Sequence, residues 1–342
     1  MSSIAVEAYR GTPAEWDDFV RAQRGWTHFH LHGWQGVMQV VLGHQTPYLA
    51  ARAADGTLAG VLPLVRVKSL LFGHYLVSQP FVNYGGPLGN DAAIQALTQA
   101  AVARAEATGA GLLELRSRIA LPIDLPVSHR KITVLLDLEP GDPERTFKRF
   151  EAKLRSQVRK PMKEGVTVRF GADQVGPFFR VFAHHMRDLG TPTQPRALFD
   201  ALAAAFGDDM WVGCAYLGDL PIAGGVGFRW GQEFEMTWAS ALHSHSRIAP
   251  NMLLYWAFME RCVQQGLSVF NFGRTTPGSG THRFKMQWGS REEPLWWYQR
   301  QAGLAKTPSP DDGRYSWGPR MWRHLPVPVA TALGPWLVRG IP

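Results

Sequence analysis

The feature that most constrains the fold is a pattern of elements that occurs twice, once in each half of the chain. Short β-prone runs flank Asp55-Gly56 in the first half and Gly218-Asp219 in the second. Such dipeptides between apolar runs predict tight β-hairpins. Each turn is followed by a similar motif, LAGV at 58–61 and IAGG at 222–225, and then by a further strand, a helix and a strand. The sequence therefore predicts a duplicated, mixed α/β fold with a period near half the chain.

The helices are predicted from apolar residues that recur every three or four positions. Thr12 is expected to cap the first helix, and Pro161 with Gly165 to end the first long helix of the second half. The expected helices lie at 13–20, 34–42, 91–108, 144–159, 175–188, 196–205 and 251–264.

The length and composition fit a globular chain of two domains. The 342 residues are 45% hydrophobic and 19% charged, which excludes a disordered protein. We expect an N-terminal domain at 1–140, a C-terminal domain with the catalytic segment at 141–302, and a tail at 303–342. The tail mixes aromatic residues with arginines, so it either packs over the second domain or lies on an anionic membrane.

The net charge indicates which partners the protein favours, and the cysteine content indicates its cellular compartment. The net charge of +8 favours acidic partners such as phosphates, tRNA, nucleotide-sugars or an anionic membrane surface. Cys214 and Cys262 have no metal or redox spacing, so we expect buried thiols in a reducing compartment. The sequence shows neither a signal peptide nor a run of ~20 apolar residues, and we therefore expect a cytoplasmic protein.

The segment 266–289, GLSVFNFGRTTPGSGTHRFKMQWG, is the strongest candidate for a functional site. Leu267 to Asn271 is predicted to be a buried strand. A loop rich in small residues is expected at 274–281, followed by a cluster of basic and aromatic residues at 282–289. A strand, a flexible loop and such a cluster place polar groups over the end of a sheet.

This segment resembles the end of the catalytic domain in the Fem-type transferases (FemABX and the related CelD/BioF-like acetyltransferase domain). The resemblance is specific at Phe284-Lys285 and Trp288-Gly289, and looser from about Phe81 to the C-terminus. It is similar in particular to the FemAB-like proteins of exopolysaccharide and PEP-CTERM systems. Members carry two copies of the GNAT acyltransferase fold and attach an acyl or aminoacyl group to an amine. The resemblance thus implies tandem GNAT-like domains and an acyltransferase activity.

The resemblance also implies that Phe284 and Lys285 lie at the acyl-transfer site. A cation there would stabilise the negative charge that develops on the acyl oxygen, with Phe284 and Trp288 as apolar walls. The structural alternative is a solvated lysine beside a core phenylalanine. We place Lys285 at the edge of a cleft, where it would contribute little to stability.

Further residues are candidates for substrate binding. The Gly-rich loop at 275–280 is either a lid, a phosphate nest or an ordinary surface loop. Arg274 and Arg283 beside it are candidate anion clamps. The acceptor cleft is expected to be lined by Tyr84, Trp238, Tyr255 and the segment of Phe284-Lys285.

The donor remains open at this stage. GNAT enzymes that use acyl-CoA usually hold its pyrophosphate with a glycine-rich loop that begins with Arg or Gln. The matching places read NYGGPLGN at 83–90, without the leading Arg or Gln, and SRIAPN at 246–251, without glycine. This departure disfavours acyl-CoA and leaves aminoacyl-tRNA or another activated acyl group. Asn251 at a helix start, with Arg247 nearby, is still a candidate anion site.

Two other clusters have weaker functional interpretations. The segment 145–163 is rich in Arg and Lys and is either a phosphate or tRNA face or a solvated helix face. His28, His30 and His32 alternate, but no acidic residue is near and the flanking glycines indicate a loop. We therefore expect no metal site.

The first hypothesis is a transferase that forms an amide on an amine of a cell-envelope or exopolysaccharide precursor. It needs no permanently bound cofactor, because the donor is already activated; the donor is aminoacyl-tRNA or acyl-CoA. Its partners would be a small-molecule or lipid-linked precursor, tRNA and the periphery of the inner membrane, but not DNA. The alternatives are an acyl-CoA-dependent N-acetyltransferase and a non-catalytic binding protein in polysaccharide assembly.

Overall fold

The structure is a computed structural model that describes residues 4–69, 71–302 and 317–341. The strands, in chain order, are β1 Ala5–Ala8, β2 Leu49–Arg52, β3 Leu58–Leu62, β4 Leu64–Ser69, β5 Gly73–Ser78, β6 Leu88–Gly89, β7 Leu112–Ser117, β8 Val127–Ser128, β9 Ile132–Asp137, β10 Val166–Phe170, β11 Met210–Leu217, β12 Leu220–Trp230, β13 Glu233–Ala241, β14 Val269–Thr275, β15 Arg291–Pro294 and β16 Trp296–Gln301.

The helices are α1 Pro13–Arg21, α2 Gly33–Val40, α3 Asp91–Thr108, α4 Pro143–Arg149, α5 Ala152–Lys163, α6 Val175–Leu189, α7 Arg196–Phe206, α8 Pro250–Gln264, α9 Gly280–Met286, α10 Trp317–Trp322 and α11 Val327–Val338. Short 3₁₀ turns lie between some of these elements. Within the described ranges, no helix combines the length and apolar character needed to cross a bilayer.

The chain forms two compact units. The first comprises the described residues within Met1–Lys131, Pro294–Asp312 and Arg339–Pro342, and the second those within Ile132–Glu293 and Gly313–Val338. The strand β16 belongs to the first unit although it lies between the two segments of the second unit in the chain. The expected division at 140 and 302 stays a prediction about which segments fold independently.

The second unit contains a seven-stranded sheet in the order β10-β11-β12-β13-β14-β9-β15. The hairpin β11–β12 and the pairs β12–β13 and β14–β9 are antiparallel, whereas β13 and β14, joined by α8, are parallel. Helices α5 and α8 cover one face of this sheet. Their buried side chains, such as Leu154, Val158 and Phe258, form a core with Phe234 and Phe270.

The first unit repeats this arrangement in two smaller sheets, β1-β2-β3-β6 and β4-β5-β7-β16-β8. The hairpin β2–β3 and the pairs β4–β5 and β7–β16 are antiparallel, and β5 and β7, joined by α3, are parallel. Pro63 separates β3 from β4, because it lacks the N–H that a continuous strand would need. The single long strand β12 occupies the matching place in the second unit. The predicted duplication is therefore present in the topology.

Local sequence signals explain most of the element boundaries. The hydroxyl of Thr12 accepts a hydrogen bond from the backbone N–H of Glu15, as expected for a helix cap. The predicted helix at 144–159 is instead two helices, α4 and α5, separated at Phe150. Pro161, expected to end the helix, lies inside α5, which continues to Lys163. Proline lacks the N–H that would bond to the carbonyl four residues earlier, and two residues before the helix end this removes a single helical hydrogen bond.

Helix α11 of the tail packs within the second unit. Ala330, Gly334 and Val338 of α11 are buried, and a Cβ on Gly334 would lie 2.8 Å from the backbone of Thr193. The packing expected as one alternative for the tail is thus observed for α11. The tail residues 303–316 lie outside the described residues.

Candidate functional site

The parallel strands β13 and β14 separate after a short paired stretch. Pairing covers Glu233–Glu235 on β13 and Val269–Asn271 on β14, and it ends there although both strands continue. A register shift in the β12–β13 pairing, between Val226 and Gly227, lies just beyond this stretch; a Cβ on Gly227 would meet the Glu235 carbonyl oxygen at 2.1 Å, so only glycine fits. Because α8 starts after β13, its N-terminus lies at the same edge. Ligands of open α/β sheets bind at such carboxyl ends.

A buried amide holds the strands together at the point where they part. The Asn271 side-chain N–H donates to the carboxylates of Glu233, at 2.7 Å, and Glu235, at 3.1 Å. Its oxygen accepts from the Thr133 hydroxyl at 2.8 Å and from the Gly273 N–H at 2.7 Å. Asn271 and Glu235 are both fully buried. The network places a buried negative charge beside the opening.

Lys285 lies in this region, but it is buried and not at a cleft edge as expected. It belongs to α9, whose start is capped by Ser279, so the predicted loop at 274–281 is in fact the end of β14, a turn at 276–279 and the start of a helix. Its Nζ donates to the carbonyl oxygens of Gly273, at 2.8 Å, and Arg274, at 2.9 Å. Gly273, at φ 72°, forms an irregularity in β14 that turns these carbonyls toward the amine.

The surroundings of Lys285 alter its acidity. Burial lowers the pKa of its ammonium to about 7; the charge of Glu235 opposes this change and that of Arg274 adds to it. An ammonium carries three N–H donors, and two of them are used by the carbonyls. At neutral pH the nitrogen therefore exchanges between two forms. In the ammonium its third N–H is a free donor, and in the neutral amine that position is a lone pair. A lysine in this state can stabilise an oxyanion or exchange a proton.

Aromatic rings form an apolar wall near Lys285. The ring of Tyr255, on α8, lies 4.9 Å from that of Phe284 and 6.5 Å from that of Trp288. Burial raises the pKa of the Tyr255 phenol well above its ordinary value. Within the described residues the Tyr255 hydroxyl forms no hydrogen bond, and the buried Nε1 of Trp288 has none either. These three predicted residues are brought together by the structure.

The two predicted arginine clamps occupy different settings. Arg274 is half-buried in β14, next to the Lys285 contacts. Arg283 is exposed and donates to the Gly278 carbonyl at 2.9 Å, which ties the turn to α9. The Gly278 N–H donates to His282 Nδ1 at 3.0 Å. That amide is therefore already used, which disfavours a phosphate nest in this turn.

Arg247 and Asn251 flank the N-terminus of α8. Arg247 is exposed in the 3₁₀ turn His243–Ile248, and its carbonyl accepts a hydrogen bond from Lys160 of α5. Pro250 occupies the first helical position, and Asn251 follows it, half-buried. Both therefore lie at the edge where β13 and β14 separate, as a candidate anion site requires.

The remaining candidates for the acceptor cleft are Trp238 and Tyr84. Trp238, on β13, packs edge-on against Phe199 of α7 at 5.3 Å. Tyr84 belongs to the first unit, where it is fully buried with its ring 5.9 Å from Phe29. Their assignment to the acceptor cleft stays a prediction.

The polar network around Asn271 was not predicted from the sequence. The signal was present: Asn271 interrupts an apolar run between Phe270 and Phe272, and Glu233 and Glu235 alternate around Phe234. Thr237 was also missed. Its hydroxyl oxygen is buried without a hydrogen-bond partner among the described residues, at the bulge where β13 leaves β14.

The basic segment of α4 and α5 is only partly neutralised. Arg145 and Arg149 both pair with Glu139, and Lys148 pairs with Glu144. Lys153 and Lys163 are exposed, and no ion pair to them is found within the described ranges. This leaves a positive surface on the helix, so both interpretations of the segment remain.

Two of the alternating histidines and both cysteines are buried. His28 and His30 are buried, and burial lowers the pKa of each imidazole, to about 3 and about 4. In the part of the chain that the structure describes, no group of His, Cys, Asp or Glu is arranged to hold a metal ion. Cys214 and Cys262 are free and buried, as expected.

Comparisons with known proteins identify the domain that contains most of these residues. Residues 148–286 match the family model of the acetyltransferase (GNAT) domain, and a search of curated proteins found no match. Similar solved structures include FemX, with a TM-score of 0.63 and 15% identity over 85% of this chain and 97% of that one. L-PGS from Bacillus licheniformis has a TM-score of 0.55 and 14% identity over 96% and 97%.

A tandem GNAT protein from the clavulanic acid biosynthesis pathway, solved without AcCoA, has a TM-score of 0.55 and 12% identity over 90% of this chain and 100% of that one. At such identities these likenesses concern the fold. With the repeated topology, they confirm the predicted class of tandem GNAT-like domains with mixed α/β architecture.

Proposed function

We propose that this chain, a FemAB-like acyltransferase with a GNAT acetyltransferase domain, forms an amide bond on an amine of a cell-envelope or exopolysaccharide precursor. The observation that carries the proposal is Lys285. It lies inside the matched domain, at the carboxyl end of β13 and β14, with two N–H groups fixed by carbonyls and a third left over.

The proposed reaction is direct transfer. The acceptor amine attacks the carbonyl carbon of an activated acyl donor, a C–N bond forms, and the bond to the donor's leaving group breaks. Negative charge develops on the carbonyl oxygen meanwhile. The third N–H of protonated Lys285 donates to that oxygen, and the low dielectric of the buried site strengthens the interaction. The proton lost by the amine passes to solvent or to the leaving group.

Phe284 and Tyr255 would form the wall of the donor site. Their rings exclude water from Lys285, and the Tyr255 hydroxyl supplies a hydrogen-bonding group to the substrate. Trp288 is proposed as a further wall of this site. The proposed contacts for the anionic parts of the donor are Arg274, Arg283, Arg247 and Asn251. The proposed contacts for the acceptor are Trp238 and Tyr84.

The donor is proposed to be an aminoacyl-tRNA or another activated acyl group. The positive face of α5, with Lys153 and Lys163, supports a nucleic-acid donor. Acyl-CoA is the second candidate, because the opening between β13 and β14 leads to the N-terminus of α8. The experiment is a single-turnover donor screen with mass detection, using acetyl-CoA and charged tRNA. Transfer from neither donor, with an intact fold, would favour a binding protein.

The location is proposed to be the cytoplasm, at the periphery of the inner membrane. On α11, the side opposite the buried face exposes Val329, Leu333 and Trp336, of which Trp336 is 69% exposed. The residues 313–342 contain four arginines and no acidic residue. Such a surface suits an anionic bilayer that carries lipid-linked precursors. The test is liposome flotation of Leu333→Glu/Trp336→Glu beside the unchanged protein; equal flotation on anionic vesicles contradicts the membrane contact.

A further inference from the structure

A cavity of about 350 Å³ opens in the first unit. It is lined by Gln39, Gln45, Thr46, Pro47, Arg66, Leu76, Arg104 and Thr108. Its volume is within the range of natural small-ligand sites. Apart from Pro47 and Leu76, every lining residue carries a polar side chain, and none is acidic.

Two arginines line the cavity from different elements. Arg66 lies on β4, and Arg104 lies on α3 one turn before Thr108. Arg66 donates to His74 Nε2 at 2.7 Å and to Gln45 Oε1 at 3.0 Å. Both acceptors are neutral, since burial and Arg66 itself lower the pKa of His74. Among the described residues, neither arginine forms an ion pair, so the two positive charges are not compensated by a carboxylate.

The polar walls are fixed by hydrogen bonds. The backbone N–H of Arg66 donates to the Gln45 carbonyl at 2.7 Å, which holds the loop before β2 against β4. The Gln39 amide donates to the Thr46 hydroxyl. Preorganised amides and hydroxyls beside guanidinium groups suit a ligand with several hydroxyl groups and one strong anion.

We infer that this cavity binds a phosphorylated sugar or polyol of about monosaccharide size, with its phosphate between Arg66 and Arg104. A phosphate dianion matches two guanidinium charges, whereas a carboxylate carries one. The amides of Gln39 and Gln45 and the hydroxyls of Thr46 and Thr108 then face the hydroxyl-bearing part. This inference does not depend on the proposed acyl transfer, because it concerns a different unit and different residues.

The experiment is calorimetric titration of the full chain with glucose 1-phosphate, glucose and gluconate. We expect saturable binding of glucose 1-phosphate and much weaker binding of the other two. Arg104→Gln should weaken binding about 10- to 100-fold, the size expected for one charge-assisted contact. Arg66→Gln should weaken it similarly, and Arg24→Gln, at an exposed arginine of the same unit, should leave it unchanged.

The controls separate this site from the acyl-transfer site and from misfolding. Arg104 is only half-buried, so Arg104→Gln should keep the thermal unfolding of the parent, whereas Arg66→Gln loses structural contacts. Binding should also survive Lys285→Met. The inference is overturned by no saturable binding, by equal affinity for glucose or gluconate, by unchanged binding in folded Arg104→Gln, or by loss of binding in Lys285→Met.

Discussion

In each unit, two parallel strands pair over three positions and then separate, and a buried cation lies where they part. In the first unit that cation is Arg116, two residues after Glu114 on β7. In the second it is Lys285, which reaches the carbonyl of Gly273, two residues after Asn271 on β14. The same place in the repeated topology thus holds two cations with different surroundings.

The positive charge of Arg116 is balanced by a carboxylate, a carbonyl and an aromatic ring. Its Nε donates to Glu114 at 2.6 Å, a terminal nitrogen donates to the Val82 carbonyl at 3.0 Å, and its guanidinium lies 4.4 Å from the Trp297 ring. Lys285 instead has two neutral acceptors and one unused N–H. In the duplicated fold, one buried cation is therefore paired with a carboxylate, and the other keeps an N–H without an acceptor among the described residues.

The largest effect is expected from breaking the ion pair of Arg116. Arg116→Met leaves the carboxylate of Glu114 buried without its cation, and breaking such a pair typically costs about 3–5 kcal/mol of unfolding free energy. Urea denaturation measures it, with the exposed Arg130→Met as the control. A loss below about 1 kcal/mol, typical of a surface pair, would remove the contrast between the units.

Lys285→Met should act mainly on the reaction. We expect single-turnover transfer at saturating donor to fall by about 10²–10³-fold, as for loss of one oxyanion donor. Above pH 10.5, where the amine is neutral in both the folded and the unfolded state, unfolding free energy should fall by about 1–3 kcal/mol, since two carbonyls lose their donor. Lys285→Arg should rescue poorly because a guanidinium differs in shape from an ammonium. Lys68→Met, exposed in the first unit, is the control. Near-normal transfer in Lys285→Met would exclude the catalytic assignment.

The pH dependence should separate the two roles of Lys285. In the unfolded chain its ammonium titrates near 10.5, and in the folded protein near 7. Between these values the unfolded state binds more protons, so unfolding free energy should rise with pH, by up to about 1.4 kcal/mol per unit. Transfer should fall as pH rises through about 7, because the oxyanion donor is lost.

Both pH trends should be absent in Lys285→Met, whose residual transfer and denaturation curves are measured across the same range. A transfer rate that rises with pH through about 7 in the parent protein would instead identify Lys285 as a proton acceptor.

The smallest effect is expected at Gln299, which supports Glu114 from β16. Its side-chain N–H donates to the carboxylate at 2.6 Å, and the residue is half-buried. Water can replace this contact, so Gln299→Met should lower the unfolding free energy by about 1 kcal/mol without changing transfer. A cost as large as that of Arg116→Met would show that the amide, and not the ion pair, secures the first unit.

The fold was predictable because local signals repeat. The Asp55-Gly56 and Gly218-Asp219 turns, the helix cap at Thr12 and the alternation of helices and strands were sufficient for the class of fold. The partner of β16 was not predictable. Nothing in the local sequence of 296–301 indicates that this strand pairs with β7 and not with β9, the neighbour of β15.

The candidate site was predictable in part. The segment around Lys285 could be found from its resemblance and composition, and Tyr255, Phe284 and Trp288 do cluster. The burial of Lys285 was missed because Ser279 starts a helix in a stretch that contains Pro277 and two glycines. The two carbonyls that bind Nζ are backbone groups, and no side-chain pattern reports them.

The placement of β16 has a consequence for synthesis on the ribosome. The strand β7 ends at Ser117, and its antiparallel partner begins at Trp296. At 5–20 residues per second, the about 180 residues between them take roughly 10–35 s to translate. During that interval one edge of β7 lacks its native neighbour, and unpaired strand edges recruit other chains. The nascent chain is therefore a natural client for chaperones until its last strand has emerged.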